Sequence, residues 1–508
     1  MNRAGMVYLV GAGPGDAQLL TLRGAELLRR ADVVIADSLV NPALARLAPV
    51  HAEIVRRSPD GPPSQAEINQ LLVARAQAGK RVVRLKGGDP YLFGRGGEEA
   101  EYLAAAGIPF EVVPGVSALT AVPASAGIPL THRTLASTLT VVTGHEDPAK
   151  PGRGVDWSLL ARTPGTKVVL MGTERLEGIA AILIAAGQSA ATPVVVTQSG
   201  TTGQQRSIEG TLGDIAKRVK AAGLVAPTVI VIGEVVGLRG KLNWSETRPL
   251  FGQRIVVTRA RDQAGALSDL LRERGAGVIE VPCIKIAPPS ERTPFVEALA
   301  GLGSYDWLIF TSANGVTLFF DYFFKAFDDV RALGAVRLAA VGPATAAKLQ
   351  ALHLKVDLVP GEYVAPKIAK ALAAYESVEN LRILLLRAEV ANPELPRLLE
   401  DLGAIVDDVA CYRTVADTED WNGAAARLRA EGADWVTFAS GSAARHFNER
   451  FDLKRLKARY AGLRLASIGP ETTKVIKKLG FEPDAEARPH TMEGLVAALE
   501  RAIAKDRR

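Results

Sequence analysis

The chain has 508 residues, is 48% hydrophobic and 23% charged, and carries a formal net charge of +6. This length predicts about three domains, and no apolar run approaches the ~20 residues of a membrane span. Two cysteines exclude a disulfide framework, and the N-terminus shows no secretory signal pattern, so we expect a cytoplasmic protein. The six histidines show no metal-ligand spacing, so no metal is expected.

The basic charge by itself leaves several partners open. It is compatible with nucleic acid, with a small polyanionic substrate and with an ordinary solvated surface. Because few basic residues cluster and aromatic residues make up only 6% of the chain, we expect no nucleic-acid partner.

Residues 1–240 alternate short apolar runs with helix-like segments, which is typical of an α/β protein. Ligands of such proteins bind beyond the carboxyl ends of the strands. The predicted strands are VYLV, DVVIAD, RVVRLKG, FEVVPG, STLTVVTG, KVVLMG, PVVVTQSG and TVIVIG.

The first of these runs leads into the glycine-rich loop GAGPGD, residues 11–16. A dinucleotide-binding loop has the spacing G-x-G-x-x-G, but here the third glycine comes one residue early and Pro14 removes an amide donor. Asp37 ends the next strand, where a ribose-binding acid would lie. The loop alone therefore leaves both an adenosyl ligand and a structural turn open.

A second glycine-rich segment, RLKGGDPYLFGRGGEE, begins at Arg84. Its turn at Gly87-Gly88-Asp89 follows a strand, and Arg95 could pair with a carboxylate in bidentate fashion. A solvated surface loop is the alternative. Further on, Ser117 lies where a strand passes into a helix, and the small residues there permit either a ligand or tight packing.

A polar stretch near residues 241–251 interrupts the alternation of strand-like and helix-like segments and is interpreted as a linker. From Gln253 the pattern restarts with the strand RIVVTRA, the helix DQAGALSDLLRERG and the strand AGVIEVPCIKI. An imperfect repeat follows, with WLIFTSANGV and LAAVGPATA in one copy and WVTFASGSA and LASIGPETT in the other. We expect two similar lobes facing one cleft.

Hydroxyl residues recur at the predicted helix starts of this repeat. Helix capping explains them without any function, and binding of anionic groups by the hydroxyls and the free amides is the functional alternative. Both can hold at once. The hydroxyl residues are Ser312, Thr345, Ser440, Ser442, Thr472 and Thr473.

Taken together, residues 5–243 resemble uroporphyrinogen-III C-methyltransferases, which depend on S-adenosylmethionine. The resemblance rests on several motifs in the same order, among them VGAGPGD, RVVRLKGGDPYLFGRGGEEAEYL, GIPFEVVPGVSALTAVPASAGIPLTHR, VVTGHE, MGTERL, GTTGQQR and KLNW. It implies a two-subdomain tetrapyrrole methylase fold, a homodimer formed through this half, and a cleft between the subdomains. The positions that match cofactor contacts of the family are Pro14, Gly87, Gly88, Asp89, Leu92, Ser117, Ala118, Met171 and Gly200.

The same resemblance implies chemical roles. Asp37 matches an acid that is proposed as proton acceptor, although the family's preceding tyrosine is Ala36 here. The family's Gly-Lys-Arg stretch, whose lysine is a proposed proton donor, is Val55-Arg56-Arg57 in this chain. An arginine does not release a proton at neutral pH, so no acid is assigned there. Arg84 and Arg95 are candidates for binding substrate carboxylates.

Residues 252–508 resemble uroporphyrinogen-III synthases through VVTRAR, IFTSANGV, VGPATA, CYRT, TFASGSA and IGPETT. The resemblance implies a bilobal α/β fold with interleaved lobes, one from 252–285 plus 413–508 and the other from 286–412, after a linker at 244–251. Tyr412 matches a tyrosine near the cleft. The substrate-binding candidates in this half are Ser312, Thr345, Ser440 and Thr472.

The two resemblances imply a bifunctional enzyme. The second half would close hydroxymethylbilane to uroporphyrinogen III, and the first half would methylate that product twice to precorrin-2. Two alternatives come from other classes. A nicotinamide-dependent dehydrogenase would need the missing G-x-G-x-x-G loop, and a non-catalytic bilobal ligand-binding protein would usually be exported.

Overall fold

The computed structural model describes residues 5–57, 63–145, 154–362, 365–420 and 423–507. The described residues form four five-stranded sheets, two before the polar stretch at 241–251 and two after it. This is the α/β architecture that the alternating apolar runs predict. In the described part of the chain, every helix is too short or too polar to cross a lipid bilayer.

The first sheet is entirely parallel, in the order β3-β2-β4-β1-β5. Helices cover both of its faces, so its inner strands are largely apolar on both sides, apart from the buried Arg84 and Lys86 of β4. Its elements are β1 Met6–Gly11, α1 Leu22–Arg29, β2 Val33–Ala36, β3 Glu53–Arg56, α2 Gln65–Gln77, β4 Arg81–Lys86, α3 Gly96–Ala105, β5 Phe110–Val113 and α4 Ala118–Ser125.

The second sheet is mixed, in the order β6-β7-β10-β8-β9, with β10 antiparallel to both of its neighbours. Its elements are β6 Leu139–Thr143, α5 Trp157–Arg162, β7 Thr166–Leu170, α6 Leu176–Ala185, β8 Pro193–Gln198, β9 Arg206–Thr211, α7 Ile215–Ala221, β10 Thr228–Ile232 and α8 Arg239–Leu242.

The polar stretch interpreted as a linker is packed against both halves. The indole Nε1 of Trp244 donates to the Ala124 carbonyl at 2.9 Å, and Glu246 accepts from Arg239 at 2.7 Å. Leu250 is fully buried in a core of the second half. This connection therefore helps to fix how the halves meet.

The third and fourth sheets are ordered β12-β11-β18-β19-β20 and β13-β17-β16-β14-β15. Their elements run in chain order as follows: β11 Arg254–Val257, α9 Arg261–Glu273, β12 Gly277–Glu280, β13 Ile284–Ala287, α10 Thr293–Ala300, β14 Trp307–Phe310, α11 Ala313–Ala326, β15 Arg337–Ala340, α12 Pro343–Gln350, α13 Ala365–Tyr375, β16 Arg382–Ala388, α14 Glu394–Asp401, β17 Ile405–Ala416, α15 Ala424–Glu431, β18 Trp435–Phe438, α16 Gly441–Phe451, α17 Leu453–Arg459, β19 Arg464–Ser467, α18 Pro470–Lys478, β20 Ala485–Glu486 and α19 Met492–Asp506.

The segment AGVIEVPCIKI, expected as one strand, is two strands in different sheets. Pro282 lies between β12 and β13 and cannot donate to a strand ladder, and the chain crosses here from the third sheet to the fourth. The return crossing leaves β17, which pairs antiparallel with β13, Ile284 opposite Ala416. The lobe limits expected at 285/286 and 412/413 fall inside this strand pair, and both of its strands belong to the fourth sheet.

Candidate active sites

A cavity of about 780 Å³ lies where strand ends of the first two sheets meet. From the first sheet it takes the loops after β1 and β4 and the start of α4. From the second it takes residues after β7 and β8. All the positions expected to contact a cofactor line this one cavity, namely Pro14, Gly87, Gly88, Asp89, Leu92, Ser117, Ala118, Met171 and Gly200.

Backbone hydrogen bonds join the two glycine-rich loops at this cavity. Gly88 donates its N–H to the Gly13 carbonyl at 2.8 Å, and the two residues form an antiparallel bridge. Both have positive φ, 79° at Gly13 and 67° at Gly88, which favours glycine. A Cβ on nearby Gly115 would overlap the Gly88 carbonyl and lie 2.6 Å from Gly11 Cα. The glycines therefore allow three backbones to meet at one edge of the cavity.

Polar side chains fix the remaining loop geometry. The Asp89 carboxylate accepts from the amides of Gly115 at 3.0 Å and Tyr91 at 2.8 Å. The Asp16 amide donates to the Thr201 hydroxyl at 3.1 Å, which ties the first loop to the second sheet. Met171 lines the cavity with a φ of 57°, in the left-handed region that side chains rarely adopt.

Asp37 follows β2 and is held by two buried cations. Its carboxylate accepts from the guanidinium of Arg84, and the Nζ of Lys86 lies 3.6 Å away. Both cations also contact buried Glu99, Lys86 at 2.9 Å and Arg84 at 3.0 Å. Burial, followed by the charge of Arg84, lowers the pKa of Lys86. Asp37 is partly exposed beside the cavity, and its neighbour Ser38 lines it.

The structure corrects the expectation that Arg84 binds substrate. Arg84 is fully buried, and its guanidinium donates to Glu99, Asp37 and the carbonyls of Ile35 and Leu85. It is out of reach of a molecule in the cavity and instead positions Asp37. The sequence signal that was missed is Lys86, two residues further along the same strand.

The structure places Arg95 outside the residues that line this cavity. It has a φ of 59°, and its exposed side chain pairs with Glu98 at 2.6 Å on the following helix turn. It does not line the cavity. Arg56, at the end of β3, does line it, and donates to the Val40 carbonyl at 3.1 Å.

In the second half, Tyr412 lies on β17 with its hydroxyl 2.9 Å from that of Ser312. Burial raises the pKa of Tyr412, and the hydrogen bond with Ser312 opposes that shift. Asn314, on the same turn as Ser312, accepts from Gln263 of α9, which packs with the other sheet. A polar contact between the lobes therefore lies beside the tyrosine.

The other hydroxyls occupy equivalent places in the two sheets. Ser312 and Ser440 cap α11 and α16, accepting from the amides of Gly315 and Ala443 at 3.1 and 3.2 Å. Thr345 and Thr472 are buried in the first turns of α12 and α18. Capping therefore accounts for the serines, and each hydroxyl follows the carboxyl end of a parallel strand.

Comparisons with known proteins agree with these two regions. The family model "Tetrapyrrole (Corrin/Porphyrin) Methylases" matches residues 6–216, and "Uroporphyrinogen-III synthase HemD" matches residues 265–497. The "Porphyrin biosynthesis protein HemD" of Ruminiclostridium josui is 35% identical over 483 residues, which is 93% of this chain and 94% of that protein.

Two further relatives match the first half. The "S-adenosyl-L-methionine-dependent uroporphyrinogen III methyltransferase" of Methanosarcina barkeri is 48% identical over 246 residues, covering 48% of this chain and 96% of that protein. A Thermus thermophilus uroporphyrin-III C-methyltransferase, solved in complex with S-adenyl homocysteine, is 42% identical with a TM-score of 0.40 and covers 46% of this chain and 93% of that chain. The chain belongs to the family in which a tetrapyrrole methylase is fused to a uroporphyrinogen-III synthase.

Proposed function

We propose that this chain carries out two consecutive steps of tetrapyrrole biosynthesis. Residues 252–508 cyclise hydroxymethylbilane to uroporphyrinogen III, with inversion of ring D and loss of water. Residues 1–243 then methylate uroporphyrinogen III twice with S-adenosylmethionine to give precorrin-2. The observation that carries the proposal is that all the residues expected to contact the cofactor line one cavity. The names of the relatives support it.

The cavity fits S-adenosylmethionine. The glycine turn at Gly87 and Gly88 permits close approach of backbone to a ligand, and Leu92, Ala118 and Met171 offer apolar surface. When bound, S-adenosylmethionine supplies a sulfonium methyl group to an electron-rich pyrrole carbon. The protein's contribution is to position the two reactants and to accept a proton. We propose no metal in either step.

Asp37 is the proposed proton acceptor for methylation. It is the partly exposed member of a cluster in which Arg84, Lys86 and Glu99 are buried. The two cations hold its carboxylate at one place beside the cavity, so that it meets the proton left on the methylated carbon. Arg84 and Lys86 are positioning residues in this scheme.

Cyclisation requires the substrate's terminal hydroxyl to leave as water. The Tyr412 hydroxyl is the proposed donor, because burial keeps it protonated and Ser312 orients it. Ser312, Thr345, Ser440 and Thr472 are proposed to hold the acetate and propionate side chains from two sides of the cleft, through hydroxyls and helix-start amides.

We also propose a homodimer formed through the first half and a cytoplasmic location, both on the resemblance alone. Light scattering of the full chain measures the first. A monomer at micromolar concentration would contradict it.

A dehydrogenase is disfavoured by the position of Asp37. In a nicotinamide site this acid would have to be free to bind ribose hydroxyls, whereas here Arg84 and Lys86 engage it.

The test is to supply hydroxymethylbilane and S-adenosylmethionine to the full chain and identify the products. We expect precorrin-2, with uroporphyrinogen III alone when S-adenosylmethionine is left out. Uroporphyrinogen I as the main product would contradict cyclisation by the second half. Uroporphyrinogen III that is never methylated would contradict the role of the first half.

A further inference from the structure

The cavity of the first half is bounded on one side by the second half. Arg272, the strand β12 and Arg427 of α15 all line it. A Cβ on Gly203 would overlap the backbone of Ala276 and Gly277, so the two halves touch there. This wall is part of the cavity.

An ionic network holds the wall in place. Arg46 of the first half lies 3.0 Å from buried Glu280 at the end of β12, and Arg272 approaches the same carboxylate at 2.8 Å. Burial raises the pKa of Glu280, but the charges of Arg272 and Arg46 outweigh it and leave the pKa lowered. Glu280 is therefore engaged by neighbouring cations.

Arg248, which also lines the cavity, stacks on the Trp244 ring, and two other cavity arginines have no carboxylate partner among the described residues. Within the described ranges, neither Arg56 of the first half nor Arg427 of the second is ion-paired with a carboxylate, and the Arg56 guanidinium contacts only the Val40 carbonyl. Burial, followed by the charge of Arg427, lowers the pKa of Arg56. Two cations that repel each other face one cavity.

The other carboxylates of the cavity do not neutralise them. Asp16 caps the turn at Gln18, and Asp89 accepts from two loop amides. Guanidinium groups bind carboxylates through paired hydrogen bonds. A ligand with at least two carboxylates would therefore relieve the repulsion between Arg56 and Arg427 and accept hydrogen bonds from both guanidinium groups.

We propose that Arg56 and Arg427 together bind carboxylates of the tetrapyrrole that is methylated, so that the synthase half completes the substrate site of the methylase half. The proposal rests on the proposed function, which supplies the polycarboxylate. It accounts for the packed connection between the halves, because the site exists only when they are held in this arrangement.

The test uses Arg427→Gln in the full chain, with methylation of added uroporphyrinogen III as the readout. The KM for uroporphyrinogen III should rise about tenfold, the effect of losing a charge-assisted hydrogen bond, and the KM for S-adenosylmethionine should stay within about twofold. Arg427→Lys keeps the charge but loses the paired N–H donors of the guanidinium. Its KM for uroporphyrinogen III should lie between those of the unmodified chain and Arg427→Gln.

The matched control is Arg397→Gln on α14, an exposed arginine of the same half that does not line the cavity. Its KM values should equal those of the unmodified chain. An unchanged KM for uroporphyrinogen III in Arg427→Gln would overturn the proposal, as would an equal rise in the control. Failure of the proposed function is distinct, because the unmodified chain would then not methylate uroporphyrinogen III at all.

Discussion

At the residue scale, both proposed catalytic groups are held by polar neighbours. Asp37 is held by Arg84 and Lys86, and the Tyr412 hydroxyl by Ser312. Arg84 and Lys86 are buried and inaccessible to substrate, whereas Ser312 is partly exposed and is itself a proposed substrate contact. Such neighbours fix the orientation of a reacting group before substrate arrives.

Replacing Asp37 by Asn should lower the turnover of methylation about 100-fold, because the amide cannot accept the proton. Binding of S-adenosylmethionine, measured by calorimetry, should stay within about twofold, since Asp37 does not line the cavity. Glu101→Gln, an exposed carboxylate on α3, is the control. Normal turnover in Asp37→Asn would rule out the role of base.

Replacing Tyr412 by Phe should slow cyclisation about tenfold and raise the share of uroporphyrinogen I, which forms by spontaneous closure. Chromatography of the oxidised products measures both effects. Tyr305→Phe removes a hydroxyl that bonds Asp407 in the same lobe, and it should leave the product ratio unchanged.

The pH dependence of cyclisation gives a second measure of Tyr412. Because burial raises its pKa above the ordinary 10.0, the hydroxyl stays protonated through the neutral range. Ionisation of Tyr412 should therefore cause no loss of rate below about pH 10. A loss near pH 8 that disappears in Tyr412→Phe would contradict this.

At the scale of elements, the cavity depends on the close approach of loops rather than on a single motif. The loop after β1, the turn after β4 and the segment after β5 meet at Gly11, Gly88 and Gly115. A side chain on Gly11 or Gly115 has to displace another backbone, whereas at Gly88 it is the positive φ that disfavours a side chain. In the second half, the pair β13 and β17 connects the two sheets, since the chain enters the fourth sheet at β13 and leaves it from β17.

Gly115→Ala should destabilise the chain by more than about 2 kcal/mol, because the new Cβ overlaps the Gly88 carbonyl. It should also weaken S-adenosylmethionine binding. Gly97→Ala is the matched control, since its Cβ meets nothing within 4 Å and lies on a helix. Alanine there should stabilise by about 0.5 kcal/mol. Urea unfolding measures both, and equal effects would contradict the packing argument.

At the scale of the whole molecule, the contact between the halves is ionic and partly buried. Glu280 is only 6% exposed and binds Arg272 of its own half and Arg46 of the other. Removing one member of such a group leaves the others buried without compensation, which is costly. The arrangement of the halves should therefore respond to acid.

Because the folded-state pKa of Glu280 lies below its ordinary 4.5, its ion pairs stabilise the chain above pH 4.5, and this contribution is lost as the pH falls below that value. Glu280→Gln should reduce stability by about 3 kcal/mol at pH 7, with a smaller difference towards pH 3. Thermal unfolding across this range measures it, with exposed Glu273→Gln as control. A difference independent of pH would contradict the assignment.

The fold follows from the sequence wherever burial is strong. All the apolar runs of the first half form strands, because strands buried on both faces need continuous apolar side chains. The strands β3 and β9 were missed. Both lie at sheet edges, where EIVR and RSIEGT carry polar residues that no periodicity distinguishes from a loop. The division between β12 and β13 was missed because both pieces are equally apolar.

The sequence by itself determined the family, the α/β class, and nine of the residues that line the cavity, because most of those nine lie in short motifs whose local geometry needs glycine or small side chains. Tertiary structure alone decided that Arg84 is buried, that Arg95 pairs with Glu98 outside the cavity lining, and that Arg56 shares the cavity with Arg427. The residue type alone does not show whether an arginine is buried in an ion pair or faces a ligand. Its role depends on charges brought together from distant parts of the chain, which local sequence does not encode.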